Sequence, residues 1–179
     1  MVFDYHNAIL SELFESSNLF GVSDIKNLFL ELECFIDSPN FPEDYDFLYD
    51  QIIGFGELIA TKIVSNYLLS QGIENQWVDA RNFIITDSRH RDARVQWKET
   101  EKVIQSRLMP IAKKNLVITQ GFIGRGNGGE TTTLGREGSD YSAAIFGSIL
   151  GAESITIWKD VAGVMNADPK KFDNAVLIP

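Results

Sequence analysis

Leu116-Val117-Ile118-Thr119-Gln120-Gly121-Phe122-Ile123-Gly124-Arg125-Gly126-Asn127-Gly128-Gly129-Glu130-Thr131-Thr132-Thr133-Leu134-Gly135-Arg136-Glu137-Gly138-Ser139-Asp140 is the stretch that decides the fold. Its first four residues form a compact apolar run of the kind that makes a buried strand. Seven of the chain's 14 glycines follow between Gly121 and Gly138, and then a helical pattern runs from about Ser139 to Leu150. Glycine admits positive φ and close approach to a ligand, and clustered N–H groups form anion nests. Ser139 or Asp140 is placed to cap the helix, whose N-terminus favours phosphate. The three threonines add hydroxyl donors, and Arg136 adds a guanidinium fork suited to carboxylate or phosphate. The competing reading is a long surface hairpin.

Two common nucleotide signatures are excluded. No G-x-x-x-x-G-K-[ST] is present, and Gly121, Gly124 and Gly126 do not give the G-x-G-x-x-G order of a dinucleotide fold. A second loop, Trp158-Lys159-Asp160-Val161-Ala162-Gly163-Val164-Met165-Asn166-Ala167-Asp168-Pro169, follows an expected strand at Ser154–Trp158. That puts it at the carboxyl edge of a sheet, where open α/β folds bind ligands. Asp160 is suited to a ribose or a metal-bound water, and Lys159 or Lys170 to phosphate charge, with an Asx-type turn as the structural alternative. Gly54-Phe55-Gly56 reads as a break or kink, so Glu57 falls in a helical first turn, where a carboxylate complements the dipole. His6 and His90 lack metal-ligand spacing and read as surface or packing residues. Neither follows a nucleophile elbow.

Working outward, residues 6–36 carry apolar side chains at helical spacing, with Ser23-Asp24 as a cap and Ser38-Pro39-Asn40-Phe41-Pro42 as a break. Periodicity resumes from about Glu43 to Ser70. Gln76–Ala80 and Phe83–Thr86 read as short strands, residues 88–96 as a polar, basic loop, and about 97–112 as a helix ending near Pro110. Strands alternating with helices predict an α/β fold with a parallel sheet, joined to an N-terminal helical subdomain. The whole is 179 residues, 44% hydrophobic, with a net charge of −9. That balance argues against a protein that blankets nucleic-acid phosphates. No apolar run of membrane-spanning length is evident, so no membrane partner is expected. Cys34 is the sole cysteine, which rules out an intrachain disulfide and points to a cytoplasmic setting. The charge is uneven: −11 over residues 1–60, +4 over 61–120 and −2 over 121–179.

These features together resemble the aspartokinases, of the amino acid kinase family. The resemblance is carried by Gly56-Glu57-Leu58, by Val117 to Gly124, by Thr131-Thr132-Thr133-Leu134-Gly135-Arg136 with Gly138-Ser139-Asp140-Tyr141-Ser142-Ala143-Ala144, and by Ile157-Trp158, Asp160-Val161, Gly163-Val164 and Ala167-Asp168-Pro169. It implies a three-layer α/β/α sandwich with a mainly parallel sheet, incomplete in this chain. Residues 1–53 would be the family's acidic helical insertion and 54–179 the α/β portion with the aspartate- and ATP-binding loops. The implied reaction moves the ATP γ-phosphoryl group to the β-carboxylate of L-aspartate, in lysine, threonine and methionine synthesis, with Mg2+ arriving on the nucleotide and no protein metal ligand. Glu57 matches the residue for the substrate's amino group, and Arg136, with Gly138 and Ser139, the segment that grips its carboxylate. Asp140 matches the catalytic aspartate that orients lysines, and Asp160 the nucleotide-binding aspartate. Lys159, Met165 and Lys170 occupy further nucleotide positions but depart from the family's usual Thr, Tyr and Arg, and Glu137 stands where Gly is usual.

The resemblance also implies segments that these 179 residues do not contain. They are an N-terminal strand ending in Lys-Phe-Gly-Gly-Thr, a second lysine beyond Pro179, and C-terminal regulatory domains. The expectation is therefore a piece of an aspartate kinase, free-standing or fused to homoserine dehydrogenase and homo-oligomeric when intact. By itself it would be inactive, because phosphoryl transfer depends on charge stabilisation. A non-catalytic binding module and a kinase with another carboxylate acceptor are the alternatives.

Overall fold

A computed structural model of the chain describes residues 2–14, 22–39, 42–159 and 163–178. The acidic N-terminal third forms helices α1 (Val2–Leu13), α2 (Val22–Ile36) and α3 (Tyr45–Ser70). Their apolar faces meet in one cluster of Leu10, Phe14, Ile25, Phe29, Ile59 and Ile63. Ser23 and Asp24 lie inside α2 rather than ahead of it. Residues 40 and 41 of the expected break lie outside the described residues.

Helix α3 corrects the expected break. It runs unbroken through Gly54-Phe55-Gly56, capped at its start by Asp44, whose carboxylate accepts from the N–H groups of Asp46 and Phe47. Gly54 is buried, and a Cβ there would come within 2.8 Å of Thr131 Cγ2. The glycine serves close helix–strand approach instead of breaking the helix. Without a break, α3 is 26 residues long and passes the length and composition test for crossing a membrane. It packs against α2 and against strands, with Ile52, Ile53 and Val64 left exposed.

Strands β1 (Asn75–Trp77) and β2 (Leu116–Ile118) pair in parallel, in the register Asn75 to Leu116. The expected strand at Phe83–Thr86 is reduced to single bridges, Ile85 to Arg125 and Thr86 to Val95, preceded by a 3-10 turn over Ala80–Asn82. A helical run crosses the other face: α4 (Trp97–Val103), a π-helical turn (Ile104–Leu108) and α5 (Met109–Ala112). Pro110 does not end this run. It sits in the first turn of α5, where its missing N–H is tolerated directly after the widened π turn.

The glycine-rich stretch does form a hairpin, of β3 (Ile123–Arg125) and β4 (Thr131–Thr133), but its strands are largely buried instead of lying on the surface. Helix α6 (Gly138–Leu150) follows and ends at Gly151 in the left-handed conformation. Val78, Phe83, Ile84, Ile104, Leu108, Leu134 and Ile145 form the core between the strands, the π turn and α6. Helices thus pack against two short strand pairs, the parallel β1–β2 and the antiparallel β3–β4. The expected strand at 154–158 is not formed. Ile155 instead fills the space left by the missing side chain of Gly147 on α6, and without a paired neighbour an extended run has no ladder.

Candidate active site

Four neighbours on α3 set the geometry. Asp50, Gly54, Glu57 and Thr61, spaced by three or four residues, lie on one face of the helix. Asp50 bonds Thr133, Gly54 abuts Thr131, and the Thr61 hydroxyl accepts from Gln120 Nε2 at 2.8 Å and from Trp77 Nε1 at 3.1 Å. Glu57 is therefore bracketed between the β3–β4 hairpin and the end of β2. It lies in mid-helix, so the dipole explanation for a first-turn carboxylate does not apply. The side chain is half-buried, and among the described residues no hydrogen bond or ion pair reaches its carboxylate. Desolvation by burial holds its pKa above the ordinary glutamate value. A half-buried, unpartnered carboxylate is a place for a cation.

The loop after β2 comes to the same edge. Gly121 lies so close to the start of α6 that a Cβ would sit 2.9 Å from Ser139 Cα. The buried Gln120 amide oxygen accepts the Ala80 N–H at 2.8 Å. Beside it, at the carboxyl end of β2, Thr119 Oγ1 is the one buried side-chain N or O atom without a partner among the described residues. Thr119 lies in the Val117 to Gly124 segment that carries the resemblance, where only its burial singles it out.

Helix α6 begins at Gly138, one residue earlier than expected, so neither Ser139 nor Asp140 caps it. The capping position is Glu137, which has φ 58° and makes no side-chain bond to the helix. Around this uncapped N-terminus the structure gathers Arg136, Glu137, Asp140 and Lys159. The Lys159 ammonium is 2.9 Å from Asp140 Oδ2 and 3.5 Å from a Glu137 oxygen, while Arg136 is 95% exposed and its guanidinium only approaches Glu137, at 4.0 Å. The hydrogen bond to Asp140 raises the Lys159 pKa against the opposing effect of burial, with the Asp140 and Glu137 charges adding to the rise. Lys159 and Asp140 are thus brought together from positions 19 apart in the chain.

Other expected donors are used internally. The threonine hydroxyls of β4 bond Arg81, Thr86 and Asp50. The hairpin tip does form an anion nest, but Glu130 fills it. Burial raises the pKa of that carboxyl, and the Ser88 hydroxyl, the Glu130 and Gly128 N–H groups and the His90 charge outweigh the rise to leave it lowered. Met165 pairs with Leu177 in a separate C-terminal turn, and Lys170 follows the Asx turn that Asp168 makes with its N–H. No hydrogen bond or ion pair among the described residues ties either to the α6 cluster. Asp160 lies outside the described residues. No group of three or more His, Cys, Asp or Glu able to hold a metal occurs among them.

Residues 7–179 match the family model of the amino acid kinase family. The chain belongs to the amino acid kinase family. Its strand–hairpin–helix edge, with helices on both sides, is this family's fold. The chain is 40% identical over 160 residues to the bifunctional aspartokinase/homoserine dehydrogenase 2 of Escherichia coli, covering 88% of this chain and 18% of that protein. Lysine-sensitive aspartokinase 3 of the same organism is 39% identical over 123 residues, 69% of this chain and 27% of that one. The structure of E. coli aspartokinase III with aspartate and ADP superposes with a TM-score of 0.80 at 33% identity, covering 87% of this chain and 35% of the other. The chain therefore spans about a third or less of the length of these aspartokinases.

Proposed function

We propose that this member of the family supplies the aspartate-binding residues and part of the nucleotide-binding residues of an aspartate kinase, which forms aspartyl phosphate for lysine, threonine and methionine synthesis. The observation that carries the reading is the unpartnered, half-buried Glu57 carboxylate facing the hairpin and the end of β2. An α-amino acid presents an ammonium and a carboxylate on one carbon. Glu57 suits the first. The exposed guanidinium of Arg136 and the uncapped start of α6, at Gly138 and Ser139, suit the second. The bound aspartate and ADP of aspartokinase III support the same substrate pair here.

In this reading a β-carboxylate oxygen of aspartate attacks the γ-phosphorus of ATP, and ADP departs. Bound ATP, carrying Mg2+, supplies the phosphoryl group. The chain's own contribution is charge and position. Asp140 holds the Lys159 ammonium at the start of α6, where it can offset charge on phosphate oxygens. Asp160, Met165 and Lys170 are assigned to the nucleotide side by resemblance. Residues 1–53 are assigned to the acidic insertion on the same basis. The 179 residues contain no Lys-Phe-Gly-Gly segment, so this polypeptide alone is proposed to bind ligands without turning them over.

Calorimetric titration with L-aspartate tests the reading. The chain should bind it, with Glu57→Gln and Arg136→Ala each weakening binding about tenfold or more, as loss of a charged partner does. Equal affinity in all three proteins would refute the assignment.

A further inference from the structure

Asp50 is fully buried, and the chemistry above makes no use of it. Five hydrogen bonds from three residues on two other segments converge on its carboxylate. The Thr133 hydroxyl donates at 2.6 Å and the Thr133 N–H at 3.1 Å. The Arg91 N–H reaches both oxygens, at 3.0 and 3.2 Å. His90 Nδ1 lies at 3.1 Å, and against an ionised carboxylate that nitrogen carries the proton. Next to Asp50, the Gln51 amide donates to the Thr131 carbonyl at 2.7 Å and accepts the Thr131 N–H at 3.0 Å, in place of a neighbouring strand.

These bonds join three pieces. The first is α3, where Glu57 stands seven residues on, about two turns along the same face. The second is β4, which leads through Leu134 and Gly135 to Arg136. The third is the loop at 90–93. That loop also touches the turn before Arg136: the Ala93 N–H donates to the Thr133 carbonyl at 2.9 Å, and a Cβ on Gly135 would meet Asp92 at 3.0 Å and the Arg91 carbonyl at 3.2 Å. Gly135 has φ 76°, so the turn it makes into Arg136 is seated against a loop that Asp50 itself anchors.

We propose that Asp50 is a positioning residue. Through Thr133 and the 90–93 loop it fixes the distance between the carboxylate that takes the substrate's ammonium and the guanidinium that takes its carboxylate. This rests on the reading of Glu57 and Arg136 given above. A stability role alone would need no such connection to both halves of an amino-acid site. Among the described residues the α6–Lys159 cluster makes no bond to Asp50, so the nucleotide side should not register its loss.

The experiment uses Thr133→Val, which removes the 2.6 Å hydroxyl bond and keeps the shape, with Thr133→Ser as the conservative rescue and Asp50→Asn as the stronger lesion. L-aspartate and Mg-ADP binding are measured by calorimetry for each folded variant. Thr133→Val should weaken L-aspartate about tenfold, a small misplacement of paired charges being costly, while ADP affinity stays within about twofold and Thr133→Ser restores the wild-type value. Unchanged aspartate affinity in Thr133→Val, or equal loss for both ligands, overturns the proposal. Glu57→Gln separates the two failures. If Glu57→Gln leaves aspartate binding intact, the substrate reading falls. If Glu57→Gln abolishes it while Thr133→Val matches wild type, only the role of Asp50 falls.

Discussion

The Glu57 carboxylate, proposed above to take the substrate's ammonium, is disfavoured in its ionised form by burial. Its folded pKa is raised, so folding takes up a proton between the unfolded value near 4.3 and the folded one. Stability contributed by the protonated form is present at low pH and lost as pH rises through the folded value. Glu57→Gln should therefore raise the melting temperature of the ligand-free chain at neutral pH relative to wild type, measured by calorimetric scanning, while removing aspartate affinity. An ammonium ligand needs the ionised form, so wild-type L-aspartate affinity should rise with pH across the same window and then level off. A lower melting temperature in Glu57→Gln would mean the carboxylate is structurally paired. Glu130 has the opposite sign. Its pKa is lowered by the nest and Ser88, which outweigh burial. Its contribution is present above the ordinary carboxylate value and lost as pH falls through the folded one. Glu130→Gln should flatten the acid limb of the stability profile and leave ligand binding unchanged.

Among the elements, α3 carries most of the design, and its glycine at 54 is the sensitive point. Gly54→Ala gains about 1 kcal/mol of helix propensity but drives a methyl into Thr131 Cγ2, and overpacking of this kind costs about 1–3 kcal/mol. Net destabilisation is expected in urea unfolding. Thr131→Ser, which deletes the obstructing methyl and keeps the hydroxyl for Arg81, should recover most of it in the double variant. Additive losses would contradict the contact. This element also marks where the sequence misleads. Gly-Phe-Gly signals a helix break by propensity, yet the same glycine permits close packing, and only the tertiary partner decides between them. β2 and α6 were legible because an apolar strand run and a helical period each carry their own signal. The 154–158 run has strand composition, but composition cannot name a partner strand. The Asp140–Lys159 pair and the Asp50 junction join residues 19 to 83 apart. No local pattern encodes such pairs, whereas Glu57 after the Gly-Phe-Gly and Arg136 in the glycine-rich stretch stand out locally and take their expected roles from the resemblance.

At the scale of the molecule, the acidic third forms a helical layer bound through α3 to a basic middle and to the glycine-rich hairpin. Of the acidic residues behind the −11 charge over residues 1–60, Asp50 is fully buried and Glu57 half-buried, whereas the others described are exposed. The 179-residue polypeptide is expected to give no aspartyl phosphate above background when ATP and aspartate are supplied and the product is trapped with hydroxylamine. Turnover would show that Lys159 and Arg136 suffice for charge stabilisation. The most direct test of the central claim is one calorimetric series that compares L-aspartate with N-acetylglutamate and carbamate, which lack a free ammonium. The pairing of Glu57 with the ammonium predicts that L-aspartate binds at least about tenfold more tightly than either, and that Glu57→Gln erases the preference, as loss of a charged partner does. Equal or tighter binding of an acceptor with no free ammonium would contradict it.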